Sequence, residues 1–301
     1  MKKTFLLALI LVATFVMVSC EAVDYVNPEV LEVQLIPSRD TAVLDAQRGP
    51  LEELLEAELG MEVNVTVATD YNGLIEAMAS NQVHVGLLAP ASYVLAADEG
   101  AAEVILKALR YDVDDNGNQL TTLVDGYKSQ LVVASDSGIT GVADLVGKRI
   151  AISSFTSTSG FVWPANLLAD NNIDPQTDVT WVNAGGHDNA ILSVINGDAD
   201  AAFTFKDART LVVGDYPNVN DQVIFLQDTE NIPNDTIAVI PTLDPDLKEK
   251  IQDAFLAIAA DADKIAVMDA IYSHKGYALA VDSDYDIVRT YLERQEDWDF
   301  S

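Results

Sequence analysis

Residues 61–88, MEVNVTVATDYNGLIEAMASNQVHVGLL, contain the pattern of a strand, a helix and a second strand in succession. The segment Met61–Ala68 alternates apolar and polar side chains and is rich in β-branched residues, which predicts a strand. The pattern over Tyr71–Ala79 is helical, and the apolar run Val83–Leu88 predicts the next strand, which ends at Ala89 and Pro90. Such alternation is typical of an α/β protein with a mainly parallel sheet and helices on both faces.

The same alternation continues on both sides of residues 61–88. A strand is predicted at 31–36, a helix near 51–59 and another helix at 92–97. The polar turn cluster DDNGN at residues 114–118 separates this first set of elements from a second set. The second set has predicted strands at 131–134, 149–153, 179–182, 201–205, 223–226 and 236–240, a helical turn at 142–146, and helices at 160–171 and 187–195.

Two α/β sets in one chain predict either two sequential domains or two interleaved lobes. After the second set, residues 245–273 follow a helical pattern with room for a kink or break near Asp261. This long helical return favours interleaving, with residues 31–128 and 226–301 in lobe 1 and residues 129–225 in lobe 2. The expected fold is therefore a two-lobed α/β fold with a cleft, where ligands bind at the carboxyl ends of the strands.

The first twenty residues have the pattern of an export signal. Lys2 and Lys3 precede an apolar run over residues 5–18, which is the length of a signal-peptide core and too short to span a bilayer. Cys20, the only cysteine of the chain, directly follows Ser19 and resembles the cysteine of a bacterial lipobox. We therefore expect a signal peptide at 1–19, lipidation of Cys20 and a tether at 20–30. Plain signal cleavage without a lipid is the alternative.

The composition limits the classes of partner and of chemistry. The formal net charge is −31, and an acidic surface of this kind argues against nucleic acid or anionic lipid as a partner. The hydrophobic content of 49% supports a folded globular protein. The sequence has no catalytic signature of the HExxH, Walker or Gly-x-Ser-x-Gly type, and nothing indicates a metal site or a cofactor. A hydrolase with scattered carboxylates stays open at this point.

The segment 152–168, ISSFTSTSGFVWPANLL, is the first candidate for ligand binding. A predicted strand leads into Thr156–Gly160 and then into a helix, where Pro164 is tolerable in the first turn. Hydroxyl groups, free backbone N–H groups and the positive end of the helix dipole would converge there on an oxyanion. The alternative is a polar loop in which one serine is an ordinary helix N-cap.

Further candidates lie at the ends of other predicted strands. The segment 183–188, NAGGHD, places two glycines and His187 between a strand and a helix, where the imidazole N–H can donate to an anion. Asp207 and Asp235 also follow strands, and a carboxylate there either binds a ligand amine or caps a helix. Tyr71 and Tyr127 offer a ring face and a hydroxyl, although each alone is more often a core or rim residue.

These segments together resemble the phosphonate/phosphite/phosphate-binding family of substrate-binding proteins of ABC transporters. The matching pieces are ATDYNGLIEAMASNQVHVGLLAPASYV, DLVGKRIAI, STSGFVWPANLL, GGHDNAILSVINGDADAAF and IPND. The resemblance covers nearly the whole chain after residue 31 and implies the two-lobed type II periplasmic-binding-protein fold.

The resemblance also implies a set of ligand-binding residues. Ser157, Thr158 and Ser159 would bind the phosphorus oxyanion, with His187 opposite. Tyr71 and Tyr127 would form walls of the pocket, and Asp207 and Asp235 would hold the ammonium of an amine-bearing phosphonate. The segment FTFKDAR at 203–209 departs from the usual family pattern around Asp207. We expected neutral donors to supply the binding, without any lysine or arginine.

The resemblance implies a capture subunit outside the cytoplasm, anchored to the membrane through Cys20, which works with ABC permease subunits and is not an enzyme. Three alternatives remain at this point: a binding protein for a sulfonate or nitrate, a sensor partner of a membrane kinase, and an enzyme on the same fold. The residues alone do not distinguish phosphonate, phosphite and phosphate.

Overall fold

A computed structural model describes residues 24–114 and 118–300. The predicted signal peptide and Cys20 lie outside the described residues. The strands are β1 (Val30–Leu35), β2 (Glu62–Val67), β3 (Val85–Leu88), β4 (Glu103–Val113), β5 (Gln119–Val124), β6 (Gly126–Ala134), β7 (Arg149–Ile152), β8 (Thr180–Asn183), β9 (Ala201–Phe205), β10 (Val223–Pro233), β11 (Thr236–Val239) and β12 (Gly276–Leu279). The helices are α1 (Thr41–Leu59), α2 (Tyr71–Ala79), α3 (Pro90–Asp98), α4 (Trp163–Asp170), α5 (His187–Ile195), α6 (Val219–Gln222), α7 (Pro245–Ala260), α8 (Ile265–Tyr272) and α9 (Asp286–Glu293).

Two separate sheets divide these strands between two lobes. The first sheet has the order β12-β4-β11-β3-β1-β2, with β5 paired to β4, and the second has the order β10-β6-β9-β7-β8. Between the sheets the chain crosses once from β5 to β6 and returns from β10 to β11. The predicted interleaving of the two sets is therefore present in the sheet order. The expected lobe boundaries at 128/129 and 225/226 fall inside β6 and β10, and these boundaries stay a prediction.

Both sheets are mixed, where mainly parallel sheets were expected. Parallel pairs join β1 to β2 and β3, and β7 to β8 and β9. The remaining pairs are antiparallel. The reason is the connection: parallel neighbours need a crossover, which α1, α2, α4 and α5 provide, whereas β4 turns directly into β5. Strands that arrive on the return of the chain, such as β10, β11 and β12, add antiparallel neighbours.

The helix α1 is longer than the sequence pattern predicted. Gly49 and Pro50 interrupt the helical pattern, so only residues 51–59 were expected to be helical, but the helix begins at Thr41 and includes Pro50. Its start is fixed by the Asp40 side chain, which accepts hydrogen bonds from Ala42 N–H and Val43 N–H at 2.7 and 3.2 Å. Burial of its apolar face offsets the backbone hydrogen bond that the proline removes. The buried residues on that face are Leu44, Leu51 and Leu55.

The C-terminal part of the chain packs first on the first lobe and then on the second. Helices α7 and α8 pack against α1, and they are separated near Asp261, as the pattern allowed. After α9, the Gln295 side chain donates to the Val162 carbonyl at 2.7 Å, and Trp163 stacks on Tyr291 with ring centroids 4.1 Å apart. Within the described residues, no helix has the length and apolar character needed to cross a membrane.

Candidate functional site

One cavity between the lobes collects six of the eight side chains that the sequence marked as ligand-binding. They are Tyr71, Tyr127, Ser157, Ser159, His187 and Asp235. Tyr71 begins α2 and Asp235 precedes β11, so both belong to the side of the first sheet. Ser157, Ser159 and His187 lie at the ends of β7 and β8 in the second sheet. The cavity therefore lies where the ends of strands from both lobes meet, as expected for this class of fold.

The loop after β7 enters α4 through a π-helical turn over Thr158–Val162. The N–H groups of Phe161 and Val162 both donate to the Ser157 carbonyl, at 2.9 and 3.1 Å. The Ser157 hydroxyl accepts from Gly160 N–H at 3.1 Å, so this serine caps the turn as well as lining the cavity. As first groups of a helical turn, the N–H groups of Thr158 and Ser159 have no partner within it.

Gly160 is required by the close packing inside this turn. A Cβ atom at position 160 would lie 2.5 Å from Ser153 Oγ and 2.9 Å from Ser157 Oγ. Any side chain would therefore displace the two hydroxyls. Pro164 is the second residue of α4, in the first turn where the sequence analysis required it.

Thr158 does not line the cavity, in contrast to its two serine neighbours. Its side chain is fully buried, and its hydroxyl oxygen accepts from Ala91 N–H at 2.8 Å. Ala91 lies in the first turn of α3, so this hydrogen bond joins the serine-rich loop of the second lobe to the first lobe. The Thr158 hydroxyl oxygen therefore joins two elements of the protein.

His187 begins α5 and faces the cavity as a buried ring. Its Nε2 lies 3.3 Å from Ser153 Oγ, and its ring meets Phe205 edge-on with centroids 4.9 Å apart. The other ring nitrogen, Nδ1, is buried and has no hydrogen-bond partner among the described residues. Burial lowers the pKa of His187 to about 3, so the ring is neutral near pH 7. A neutral imidazole still offers one N–H donor to a ligand.

The two predicted tyrosines are placed as walls of the cavity. Tyr71 is almost fully buried, and α2 is held in place by Asp70, which accepts from Gly73 N–H at 2.8 Å. Tyr127 lies on β6 at the crossing between the lobes. Burial raises the pKa of both phenols, so each hydroxyl keeps its proton and can donate a hydrogen bond.

Asp235 faces the cavity as part of a charged network. Its Oδ2 accepts from Arg110 Nη2 at 2.9 Å and lies 3.4 Å from His274 Nε2, while His274 Nδ1 lies 3.1 Å from the Tyr277 hydroxyl. Burial alone would raise the pKa of Asp235, but the His274 hydrogen bond and the Arg110 charge outweigh it and hold the pKa below its ordinary value. Asp235 is therefore ionised and already paired.

Arg110 and Arg39 line the cavity, so the expectation of a site without lysine or arginine is wrong. The Arg110 guanidinium lies 5.0 Å from the centroid of the Tyr127 ring and 5.9 Å from that of Phe205. Arg39 Nη1 donates to the Ala270 carbonyl at 2.9 Å. No strand was predicted at residues 103–113, because Glu103, Lys107 and Arg110 interrupt the apolar residues there, and Arg110 was therefore missed. A charged residue on the inner face of such a strand would have been a candidate.

Asp207 does not line this cavity, but it lines a neighbouring one that shares Arg110, Tyr127 and Phe205 with it. Its Oδ1 accepts from Arg209 Nε at 2.8 Å, and both side chains are buried. Its backbone is left-handed with φ of 62°, and its N–H donates to Gln130 Oε1 at 3.2 Å. The structure thus places this carboxylate within the second lobe, where it pairs with an arginine of the same turn.

The lobes touch each other at the rim of the cavity through backbone donors. His187 N–H donates to the Ser38 carbonyl at 3.0 Å, and Asp40 N–H donates to Asp188 Oδ2 at 2.7 Å. Gly186 permits this approach, because a Cβ atom there would lie 2.6 Å from Asp188 Oδ1. Together with the bond between Ala91 and Thr158, these contacts close the lobes around the site.

Comparison with known proteins agrees with this geometry. The model of a family described as "ABC transporter, phosphonate, periplasmic substrate-binding protein" matches residues 33–285. The phosphate-import protein PhnD of Mycolicibacterium smegmatis is 28% identical over 283 residues, which cover 87% of this chain and 84% of that protein. The phosphonates-binding periplasmic protein of Escherichia coli is 28% identical over 246 residues, with 80% and 70% of the two chains covered.

Solved structures with the same fold include two binding proteins of this kind. PhnD1 from Prochlorococcus marinus in complex with methylphosphonate superposes with a TM-score of 0.77 at 18% identity, covering 89% of this chain and 98% of that one. The binding component of an ABC phosphonate transporter from Pseudomonas aeruginosa gives 0.77 at 21% identity, covering 90% and 87%. The predicted two-lobed type II periplasmic-binding-protein fold is thereby confirmed. With most of its length matched by the family model, the chain belongs to the phosphonate-binding family of periplasmic substrate-binding proteins of ABC transporters.

Proposed function

We propose that this protein captures a phosphorus oxyanion, namely phosphate, phosphite or a small phosphonate, in the cavity between its lobes. Membership of the family gives it the role of substrate-binding component of an ABC importer, outside the cytoplasm. The observation that carries the proposal is the convergence of donors on one point. Ser157, Ser159 and His187 face Tyr71 and Tyr127 across the same cavity.

The number of donors is sufficient for useful affinity. A hydrogen bond to a charged group contributes roughly 1.5–3 kcal/mol, and micromolar binding requires about 8 kcal/mol net. Two serine hydroxyls, the N–H groups at the start of the π-helical turn, one imidazole and two phenols supply enough bonds even after the entropy of association. Arg39 adds a positive charge at the cavity beside the Arg110–Asp235 ion pair, and this charge offsets part of the repulsion that the net charge of −31 exerts on an anion.

In this proposal Asp235 contacts the ligand and Asp207 does not. Asp235 contacts the group of the ligand that is not bound at the serine-rich loop. Asp207 supports the fold through its ion pair with Arg209. This assignment replaces the expected pair of ammonium-binding acids by a single carboxylate at the cavity.

The membrane anchor and the absence of catalysis belong to the same proposal. We propose that Cys20 carries the lipid that tethers the protein to the membrane, which the lipobox-like leader supports. Cys20→Ala should release the protein from the membrane fraction or leave the leader uncleaved. Fractionation identical to the wild type would contradict the anchor.

We also propose that the protein binds its ligand without chemical conversion and releases it to permease subunits.

The test of the proposed function is a titration-calorimetry panel on the purified protein. Phosphate, phosphite and methylphosphonate form one group of ligands, and sulfate, nitrate and methanesulfonate form the comparison group. We expect at least one phosphorus ligand to bind with micromolar or tighter affinity and the comparison group to bind at least 100-fold more weakly. Tight binding of a sulfonate or nitrate, with no binding of phosphorus ligands, would contradict the proposal and show a binding protein for that other anion.

A further inference from the structure

An arginine and a carboxylate lie side by side among the residues that line the cavity. Arg110 Nη2 and Asp235 Oδ2 are 2.9 Å apart, and their side chains keep 13% and 18% of their surface exposed. Both residues line the cavity. With the phosphoryl group of a ligand at the serines, its remaining group would face this pair in the arrangement that we propose.

Asp235 offers one oxygen to that group. The interactions of Oδ2 are with Arg110 and His274, whereas Oδ1 makes no hydrogen bond with any residue in the described ranges 24–114 and 118–300. An ionised carboxylate only accepts hydrogen bonds, so the ligand group that meets Oδ1 has to donate one. Ammonium and hydroxyl groups are the two candidates.

Arg110 distinguishes between these two candidates. Its position is fixed by the Tyr127 and Phe205 rings and by a second bond from Nη2 to the Tyr272 carbonyl at 3.4 Å. Its Nε has no partner among the described residues. Guanidinium groups only donate hydrogen bonds and are always charged. An ammonium beside Arg110 would meet a like charge and could accept nothing from it, whereas a hydroxyl can donate to Asp235 and accept from Arg110.

We propose that Arg110 makes this cavity selective for phosphorus oxyanions whose second group is a neutral hydroxyl, and that it excludes those carrying an ammonium. The proposal rests on the function proposed above, since it assumes that the phosphoryl oxygens bind at the serine-rich loop. The class includes protonated phosphate, in which the hydroxyl is on phosphorus, and hydroxyalkylphosphonates. Arg110 is then a specificity-determining residue of the binding site.

The test compares two ligands of nearly equal size, hydroxymethylphosphonate and aminomethylphosphonate, with methylphosphonate as the reference for phosphonate binding. Titration calorimetry on the wild type should give at least 10-fold tighter binding of the hydroxyl ligand than of the amino ligand. In Arg110→Met, the freed Asp235 should accept the ammonium, and the preference should shrink by at least 10-fold or reverse. Arg149→Met is the matched control, because it removes an exposed arginine paired with Asp200 on the second lobe.

Each outcome decides the proposal. Equal or tighter binding of aminomethylphosphonate to the wild type would overturn it, without any variant being needed. Equal weakening of all three ligands in Arg110→Met would show that Arg110 binds the phosphoryl group and does not select. If Arg110→Met fails to fold by circular dichroism, Arg110→Gln replaces it and should also reduce the hydroxyl preference, because it removes the positive charge and keeps a polar side chain. Failure of phosphate, phosphite and every phosphonate to bind the wild type would instead refute the proposed function.

Discussion

At the scale of single residues, the state of His187 decides how the cavity can hold an anion. The ring is buried between Ser153 and Phe205, and burial lowers its pKa to about 3. In the proposed site it would therefore act as a neutral hydrogen-bond donor near pH 7.

The buried neutral ring also makes a prediction about stability. An unfolded histidine has a pKa of about 6.5, so between pH 6.5 and pH 3 the unfolded chain binds a proton that folded His187 does not. The free energy of unfolding should consequently fall as the pH falls below 6.5. Relative to His187→Asn, the wild type should lose about 2 kcal/mol between pH 8 and pH 5.

Urea unfolding of both proteins without ligand at several pH values measures this difference. His84 and His274 also have lowered pKa values through burial, so His187→Asn should keep part of the slope. Parallel pH profiles of wild type and His187→Asn would show that the histidine is not buried in its neutral form.

The local sequence pattern was sufficient to predict that Ser157, Ser159 and His187 lie near one another, and the structure places all three at one cavity. Each lies between a predicted strand and a predicted helix. Their role in ligand binding stays a prediction. Thr158 belongs to the same segment, but its hydroxyl is occupied by Ala91 N–H, a partner 67 residues away in the chain. No local pattern carries that pairing, and the same holds for Arg110 and its partner Asp235.

At the scale of elements, the π-helical turn Thr158–Val162 positions the site and ties it to α3. The bond from Ala91 N–H to Thr158 Oγ1 exists only while the lobes are together, because the two residues belong to different lobes. Loss of a buried acceptor leaves the N–H unpaired at a cost of about 1–3 kcal/mol. We therefore expect the turn to couple lobe contact to ligand binding at the proposed site.

Thr158→Val removes this acceptor and nearly preserves the volume of the side chain. We expect it to weaken phosphate and methylphosphonate binding by the same factor, about 5- to 100-fold, because it destabilises the arrangement in which the lobes meet. Thr158→Ser retains the hydroxyl and serves as the control, with affinity close to the wild type. Titration calorimetry gives both numbers, and wild-type affinity in Thr158→Val would contradict the coupling.

Element prediction failed for strands whose role depends on a distant partner. The helix α5 and the strand β9 have the bounds that their local patterns predicted. The strands β4, β5 and β12 were missed, since charged and polar residues interrupt their alternation and antiparallel neighbours from elsewhere in the chain stabilise them. Because β4 carries Arg110, this omission also hid the arginine of the site.

At the scale of the whole molecule, the two lobes are linked by more than the two strand crossings. Helix α9 and the residues after it reach the second lobe, where Asn166 Nδ2 donates to the Tyr291 carbonyl at 3.1 Å. The ring of Phe300 packs on Phe161 with centroids 4.8 Å apart. We expect these contacts with α4 and the serine-rich loop to limit how far the lobes can separate.

Lobe closure on the ligand predicts a change in overall dimensions. Domain closure around a bound ion is a common way to exclude water from a cleft. Small-angle scattering should therefore give a smaller radius of gyration with saturating ligand than without it. The Ser157→Ala/Ser159→Ala double variant should show no change at the same ligand concentration. An unchanged radius in the wild type would contradict a hinge mechanism.

The most direct test of the central claim is the affinity of that Ser157→Ala/Ser159→Ala variant for the phosphorus ligand that binds best. Each hydroxyl contributes roughly 1.5–3 kcal/mol, so titration calorimetry should show at least a 100-fold loss. Ser193→Ala is the control, because that hydroxyl donates to the Asn189 carbonyl within α5 at 2.8 Å and does not line the cavity, and the variant should bind like the wild type. Wild-type affinity in the double variant, with the fold intact by circular dichroism, would place the anion site elsewhere.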